Sequence, residues 1–313
     1  MIDRFQACLL GFAIGDALAA PIEDTIRDPH IGQDRVTDYV KALPSHPLHH
    51  LEPGQYSDET QQMLLLAETV AEKRGFLIEP FAARLVDWYH RQKTRAEWRF
   101  PGNTCMNACR KLATGTPWQM SGSMSAGVIA SARVAPLGLF YARNANAMRD
   151  AIEKSCKITH TDPKVVAGAM VLARIIQVGV EGQDLGIDGL INGCIEKCQP
   201  YSPELVKKLA GLKDQLKLDP KLAISNIGNT GYVLDAIPAA VYCYLKWYDR
   251  FDDMIVAAAN IGGDSDAIAA MAGAMFGATR GLTAIPARWL PKLERADEIK
   301  QLGCDLYRAA QAK

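Results

Sequence analysis

Residues 4–19, RFQACLLGFAIGDALA, are apolar on nearly every side of a helical wheel. A helix with no polar face has no side to offer to water, so other elements must surround it. The chain has to build its core around this segment. The rest of the sequence supplies helices for the task. Asp58 opens one that runs to about Lys73, with Met63, Leu66, Ala67 and Val70 at three-four spacing. Others are predicted over 79–92, 104–114, 142–157, 164–179, 186–198, 203–217, 231–247, 250–260 and 266–280. Pro238 marks a start or a kink within its segment. No stretch alternates as a strand does, so the expected class is all-α. No linker or repeat divides the chain, and residues 1–313 read as a single domain. Residues 20–56, with Pro21, Pro29, Pro44, Pro47 and Pro53, read as a long irregular segment, a feature often tied to function.

Charge narrows the partners. Lys plus Arg and Asp plus Glu number 35 each. A nucleic-acid binder usually carries a basic excess to displace counterions, and no nucleic-acid partner is expected. No basic amphipathic helix points to a membrane surface. Neutrality suits a small substrate or a modified protein. Arg4, the apolar run and Ala17-Leu18-Ala19 imitate a signal peptide, but Asp3 and Asp16 interrupt the pattern. The eight cysteines are not needed as staples at this length, so the chain reads as reduced and cytoplasmic. Cys105/Cys109 and Cys194/Cys198 are each four apart, on one helical face; they read as small buried residues rather than halves of a zinc site. Gly273, Gly277 and Gly281, with Ala269, form a stripe of small residues that lets another helix approach closely.

Two short segments place acids where the chain should be burying itself. They are Tyr56-Ser57-Asp58-Glu59-Thr60 and Gly262-Gly263-Asp264-Ser265-Asp266. Each begins an apolar helix, where one short acceptor suffices as an N-cap. Each supplies two carboxylates and a hydroxyl. Carboxylates held together must raise their pKa, spread into water or bind cations. Hard ions such as Mg2+, Mn2+ and Ca2+ take such ligands. Spacing alone does not say that the two segments meet.

In order along the chain, Gly15-Asp16-Ala17-Leu18 with Pro21-Ile22-Glu23, then the Tyr56–Thr60 segment, then Gly262–Asp266, resemble the three signature segments of the ADP-ribosylglycohydrolase family. The resemblance spans roughly residues 5–290 and includes Gly277-Ala278 and Ile285-Pro286-x-x-Trp289. It implies an orthogonal helical bundle with two divalent metals, Mg2+ or Mn2+, at the bottom of a cleft. It implies metal ligation by Ser57, Asp58, Glu59, Asp264 and Asp266, with Glu23 near the scissile bond. Three departures stand out. Glu59 replaces the family's Asp and reaches farther by one methylene. Ala267 replaces a Thr and removes a hydroxyl ligand. Val128-Ile129 stand where an Asn-Gly is usual, ahead of Arg133-Val134-Ala135-Pro136.

The implied reaction is hydrolysis at a ribose anomeric carbon through an oxocarbenium-like transition state. The substrate would be an ADP-ribosylated protein or a small ribosyl compound. Asp58, Asp264 and Asp266 are the expected metal ligands, Glu59 a ligand or general base, and Glu23 a positioning or acid/base group. Asp16 is expected to be a buried structural acceptor. Gly122, Ser123, Ser125 and His160 are candidate substrate contacts, the first three as a small loop and His160 within Thr159–Pro163, a segment that resembles a family loop. Trp88, Trp98, Phe100 and Tyr232 are candidates to stack on a base. His46, His49 and His50, on the Pro-rich segment, read as exposed polar residues rather than ligands of a transition metal. The departures keep a second expectation open: a non-catalytic relative that binds ADP-ribose or a nucleotide, or a structural one, as the family's lens crystallins are.

Overall fold

A computed structural model describes residues 1–23, 35–94 and 96–312. Pro29 and most of the first half of the Pro-rich segment lie outside the described residues. In chain order the helices are α1 (Ile2–Ala19), α2 (Asp58–Lys73), α3 (Ile78–Arg91), α4 (Asn103–Ala113), α5 (Trp118–Ser121), α6 (Ile129–Ala132), α7 (Ala135–Phe140), α8 (Ala145–Lys157) and α9 (Pro163–Glu181). They continue with α10 (Gly186–Cys198), α11 (Pro203–Ala210), α12 (Leu212–Gln215), α13 (Pro220–Ile227), α14 (Val233–Lys246), α15 (Phe251–Ala259), α16 (Ser265–Arg280) and α17 (Ala296–Gln311). Among the described residues there is no sheet. Two isolated bridges, Ser123 with His160 and Gly127 with Tyr232, are the strand-like pairing among these residues. The all-α expectation holds.

Every residue of α1 from Phe5 to Ala19 is buried, as a helix without a polar face requires. Its principal neighbour is α16, which runs antiparallel to it. A Cβ added to Gly273 would stand 2.0 Å from the Gly11 carbonyl oxygen, and one on Gly277 2.1 Å from that of Ala7. Gly15 meets Ala269 in the same way. The two backbones touch where the glycines lie, and no side chain fits between them. This fulfils the small-residue reading for Gly273 and Gly277. Gly281 differs: it follows the end of α16 at φ 79° and faces the Asp3 carboxylate. Helices α1 and α9 are apolar and long enough to cross a membrane, yet 94% and 83% of their apolar windows are buried inside the protein.

Several boundaries differ from the sequence reading. The helix expected over 203–217 is broken at Gly211 into α11 and α12. Pro238 lies inside α14 rather than at its start. Helix α17 was not expected. Gly303 at its centre reads as a breaker, but a Cβ there would stand 2.7 Å from the Gln6 Cα. The glycine is a contact point against α1. The four-apart cysteines of α4 sit with sulfurs 4.0 Å apart, and all eight thiols are free.

Replacing Gly273 by Ala forces the α1 and α16 backbones apart. A loss of roughly 3 kcal/mol is expected, the upper end for overpacking a core. The denaturation midpoint checks it; an unchanged midpoint would mean that the helices do not pack this closely.

Candidate active site

The antiparallel pair brings the end of α1 beside the start of α16, and the start of α2 completes the group. Asp16, near the end of α1, is fully buried. Its carboxylate accepts from the backbone N–H of Ser57 (2.9 Å) and Thr60 (2.8 Å) and from the Thr60 hydroxyl (2.6 Å). It therefore satisfies free N–H groups at the first turn of α2 and fixes that helix end against α1. This is the structural acceptor expected of it.

The two acidic segments do meet. The Ser57 hydroxyl caps α2 by accepting from the Glu59 N–H (3.2 Å) and donates to Asp266 Oδ2 (3.1 Å). Gly262 and Gly263, both at positive φ, turn the chain into α16; a Cβ on Gly263 would lie 2.1 Å from the Asn229 carbonyl oxygen. The Asp264 N–H donates to that same oxygen at 2.9 Å. Two helix N-termini thus point at one cluster of carboxylates, which favours negative charge there.

Burial still dominates. It is the main cause that holds Asp58, Glu59 and Asp266 well above the ordinary carboxylate range. Neighbouring acids add to it: Asp58 around Glu59, and Asp264 around Asp266. Asp58 is held in place from behind. Gln62, one helical turn on, donates to Asp58 Oδ2 (2.8 Å), and Gln62 Oε1 accepts from the buried Arg133 (2.9 Å) and from the Cys105 thiol (3.3 Å). The i, i+4 spacing of Asp58 and Gln62 was the sequence signal for this contact.

Carboxylate oxygens of Glu23, Asp264 and Asp266 all lie within 4.8 Å of one another. Oxygens on opposite sides of a bound Mg2+ stand about 4.2 Å apart, and around Ca2+ about 5 Å. The triad has the span of one hard cation. Glu59 Oε2 is buried with no hydrogen-bond partner among the described residues, an arrangement that a cation would relieve. The residues present therefore fit a divalent metal. Glu23, expected only to position substrate or handle protons, stands among the oxygens that could hold the ion.

These acids form the floor of a cleft of 560 Å³. Trp98 and Phe100 stand on one side of it, Val128 and Ile129 on another, with His160 and Gly231 beyond. Arg99 anchors the aromatic side: its carbonyl accepts from the Asp58 N–H, and its guanidinium pairs with Glu294 at 2.9 Å. Phe100 follows in a left-handed conformation, φ 62°, that few side chains adopt. Trp88 is instead core, and Tyr232, exposed, does not line the cleft, although its bridge partner Gly127 does. Of the proposed substrate contacts, only His160 lines the cleft. Gly122 packs on the Lys157 carbonyl, Ser123 exchanges backbone bonds with Thr159 and Thr161, and Ser125 accepts from the Thr104 hydroxyl. They brace the wall. Burial and the nearby Arg133 push His160 down to about 3, so its ring is neutral. Asn103 and Thr104, at the start of α4, line the cleft and were missed in the sequence; the Pro101-Gly102 break before them was the available signal. The histidines are not exposed as expected: His46 is buried against backbone groups, and His49 and His50 are half-buried, His50 bonding the Trp98 carbonyl.

The model of one family, ADP-ribosylglycohydrolase, matches residues 1–313. The chain belongs to the ADP-ribosylglycohydrolase family. It is 30% identical over 317 residues to the ADP-ribosylarginine hydrolase Tri1 of Serratia proteamaculans, covering 98% of this chain and 79% of the relative. It is 26% identical over 349 residues to the mouse ADP-ribosylhydrolase ARH3, covering 99% and 92%. A solved structure described as an ADP-ribosylglycohydrolase-related protein complex superposes with a TM-score of 0.80 at 28% identity, over 99% of this chain and 98% of the other. The family member described here is a glycosidase, and the non-catalytic expectation gives way.

Raised carboxylates make stability depend on pH. Asp58, Glu59 and Asp266 bind protons in the folded state at a pH where the unfolded chain has released them. Their unfavourable contribution is absent below about pH 4, grows as pH rises, and is complete above their folded values. In chelator the melting temperature is expected to fall from pH 5 to pH 8, and Glu59→Gln to flatten that fall. A melting temperature that instead rises through this interval would refute the buried-acid cluster. Asp16→Asn, which spoils a threefold acceptor, should lower stability by roughly 1–3 kcal/mol in either condition.

Proposed function

We propose that the enzyme cleaves the bond between the anomeric carbon of an ADP-ribosyl group and a protein side chain, with Mg2+ or Mn2+ held by Glu23, Asp58, Glu59, Asp264 and Asp266. The observation that carries this reading is the convergence of those acids on the cleft floor, with a Glu59 oxygen buried and lacking a hydrogen-bond partner among the described residues. A bound divalent ion supplies ribose orientation and a lowered pKa for water.

The protein's own groups do the rest. Gln62 keeps Asp58 from rotating away from the cleft. Glu59, one methylene longer than the family's Asp, and Glu23 are the carboxylates that take the proton of the attacking water or assist the leaving group. Ser57 ties the α2 acids to Asp266, so the two halves of the site hold one geometry. Trp98 and Phe100 offer ring faces for a nucleobase. Val128 and Ile129 present an apolar wall where relatives place polar groups, and they narrow what leaving group fits.

The relationship to an arginine-specific hydrolase makes ADP-ribosylarginine peptide the first substrate to try, beside serine-linked peptide. Release of ADP-ribose should require Mg2+ or Mn2+, and Asp266→Asn should lower kcat about 100-fold or more. Turnover that persists in chelator and in Asp266→Asn would overturn the metal assignment. Failure on both peptides would overturn the substrate class.

A further inference from the structure

The α1–α16 pair has a second end. Contacts along it join residues whose numbers sum to 284: Gly15 with Ala269, Gly11 with Gly273, Ala7 with Gly277, and Asp3 with Gly281. The same register sets Arg4 beside Arg280. Both arginines therefore leave the helix pair at the same end, Arg4 Nη1 lying near Gly182 and the exposed Arg280 over Tyr248. By helical rise, Arg4 lies about 18 Å along α1 from Asp16, so this end is well separated from the acids.

Both arginines line a cleft of 830 Å³, larger than the one over the acids. Arg4 Nη1 is buried with no hydrogen-bond partner among the described residues. Among the described residues, neither guanidinium has a carboxylate within 4.0 Å. The acids nearby are engaged elsewhere. Asp3 bonds the terminal amine (2.9 Å), Asp184 accepts from the Gly186 N–H (3.2 Å), and Asp249 lies 3.9 Å from Arg250. Arg280 donates its Nε–H to the Tyr248 carbonyl (2.9 Å) and lies over the Tyr248 ring at 4.8 Å, which leaves its two terminal nitrogens for a ligand. Tyr244 and Tyr248 add ring surface, and the Leu185 and Ile187 side chains, both exposed, add an apolar rim.

A partly buried guanidinium with an unpartnered nitrogen is costly to keep. Guanidinium groups in pairs match the oxygens of carboxylate or phosphate. The volume lies in the range of small-molecule pockets, roughly 300–1,000 Å³. We infer that this cleft is a second binding site, for an organic oxyanion: a carboxylate or phosphate head seated between Arg4 and Arg280, with a flat or apolar body against Tyr244, Tyr248, Leu185 and Ile187. The inference is independent of the metal and substrate assigned to the acidic cleft.

The test uses the whole enzyme, free of ADP-ribose, as wild type and as Asp266→Asn. Adenosine monophosphate and salicylate are titrated by calorimetry, as a phosphate and a carboxylate on a ring. At least one should bind wild type and Asp266→Asn alike, and Arg4→Gln or Arg280→Gln should weaken it about tenfold or more. The probe that binds identifies the head group. Among the described residues the Arg4 guanidinium has no hydrogen-bonded or ionic partner to lose, so Arg4→Gln should melt in anion-free buffer no lower than wild type, and the same probe should stabilise wild type but not this variant. Absence of binding by both probes, or equal binding to the Arg4→Gln/Arg280→Gln double variant, would overturn the site.

Discussion

The contact of the α1 and α16 backbones carries the rest of the structure. Glycines at 11, 15, 273 and 277 remove the side chains that would otherwise hold the two helices 8–10 Å apart. Without that approach Asp16 would not lie beside the start of α16, and the Ser57–Asp266 bond could not form. The pairing is therefore an electrostatic device as much as a packing one. It brings acids together at one end and sets two arginines along one cleft at the other.

At the acidic end the chain accepts an unfavourable arrangement that packing alone would not select. Neutral caps would serve α2 and α16 as well. Each feature around the cluster instead restrains an acid in place: Asp16 on the first turn of α2, Gln62 on Asp58, and Ser57 between the two helices. Arg133, fully buried behind Gln62, acts on Asp58 through that amide rather than by pairing with it. The carboxylates are held close to one another. That is the condition in which a small hard cation gains most.

Much of this was legible in the sequence because it rests on local rules. The apolar run at 4–19, the small residues at 273 and 277, and the acids at helix starts each have a physical meaning within a few residues. What could not be read depended on pairs distant in sequence. Gly303 reads as a breaker until Gln6 is placed beside it. The loop around Gly122 and Ser123 has the composition of an anion cradle, and only its bridge to the His160 segment turns it into a brace. Glu23 joined the ligand-competent oxygens because a turn of 3-10 helix at Ala20–Ile22 carries it back toward α16. Arg4 gave no signal, since its meaning comes from Arg280.

Synthesis imposes an order on these events. Helix α1 is made first, and 250 residues separate Asp16 from Asp266. At about 5–20 residues per second, the partner of α1 follows it by roughly 12 to 50 s. For that interval a helix apolar on all sides has no groove to enter, and α2 and α9 can shield only part of it. The segment that determines the active site is thus also the one most in need of a chaperone on the ribosome, and a translational pause anywhere between α1 and α16 lengthens that exposure.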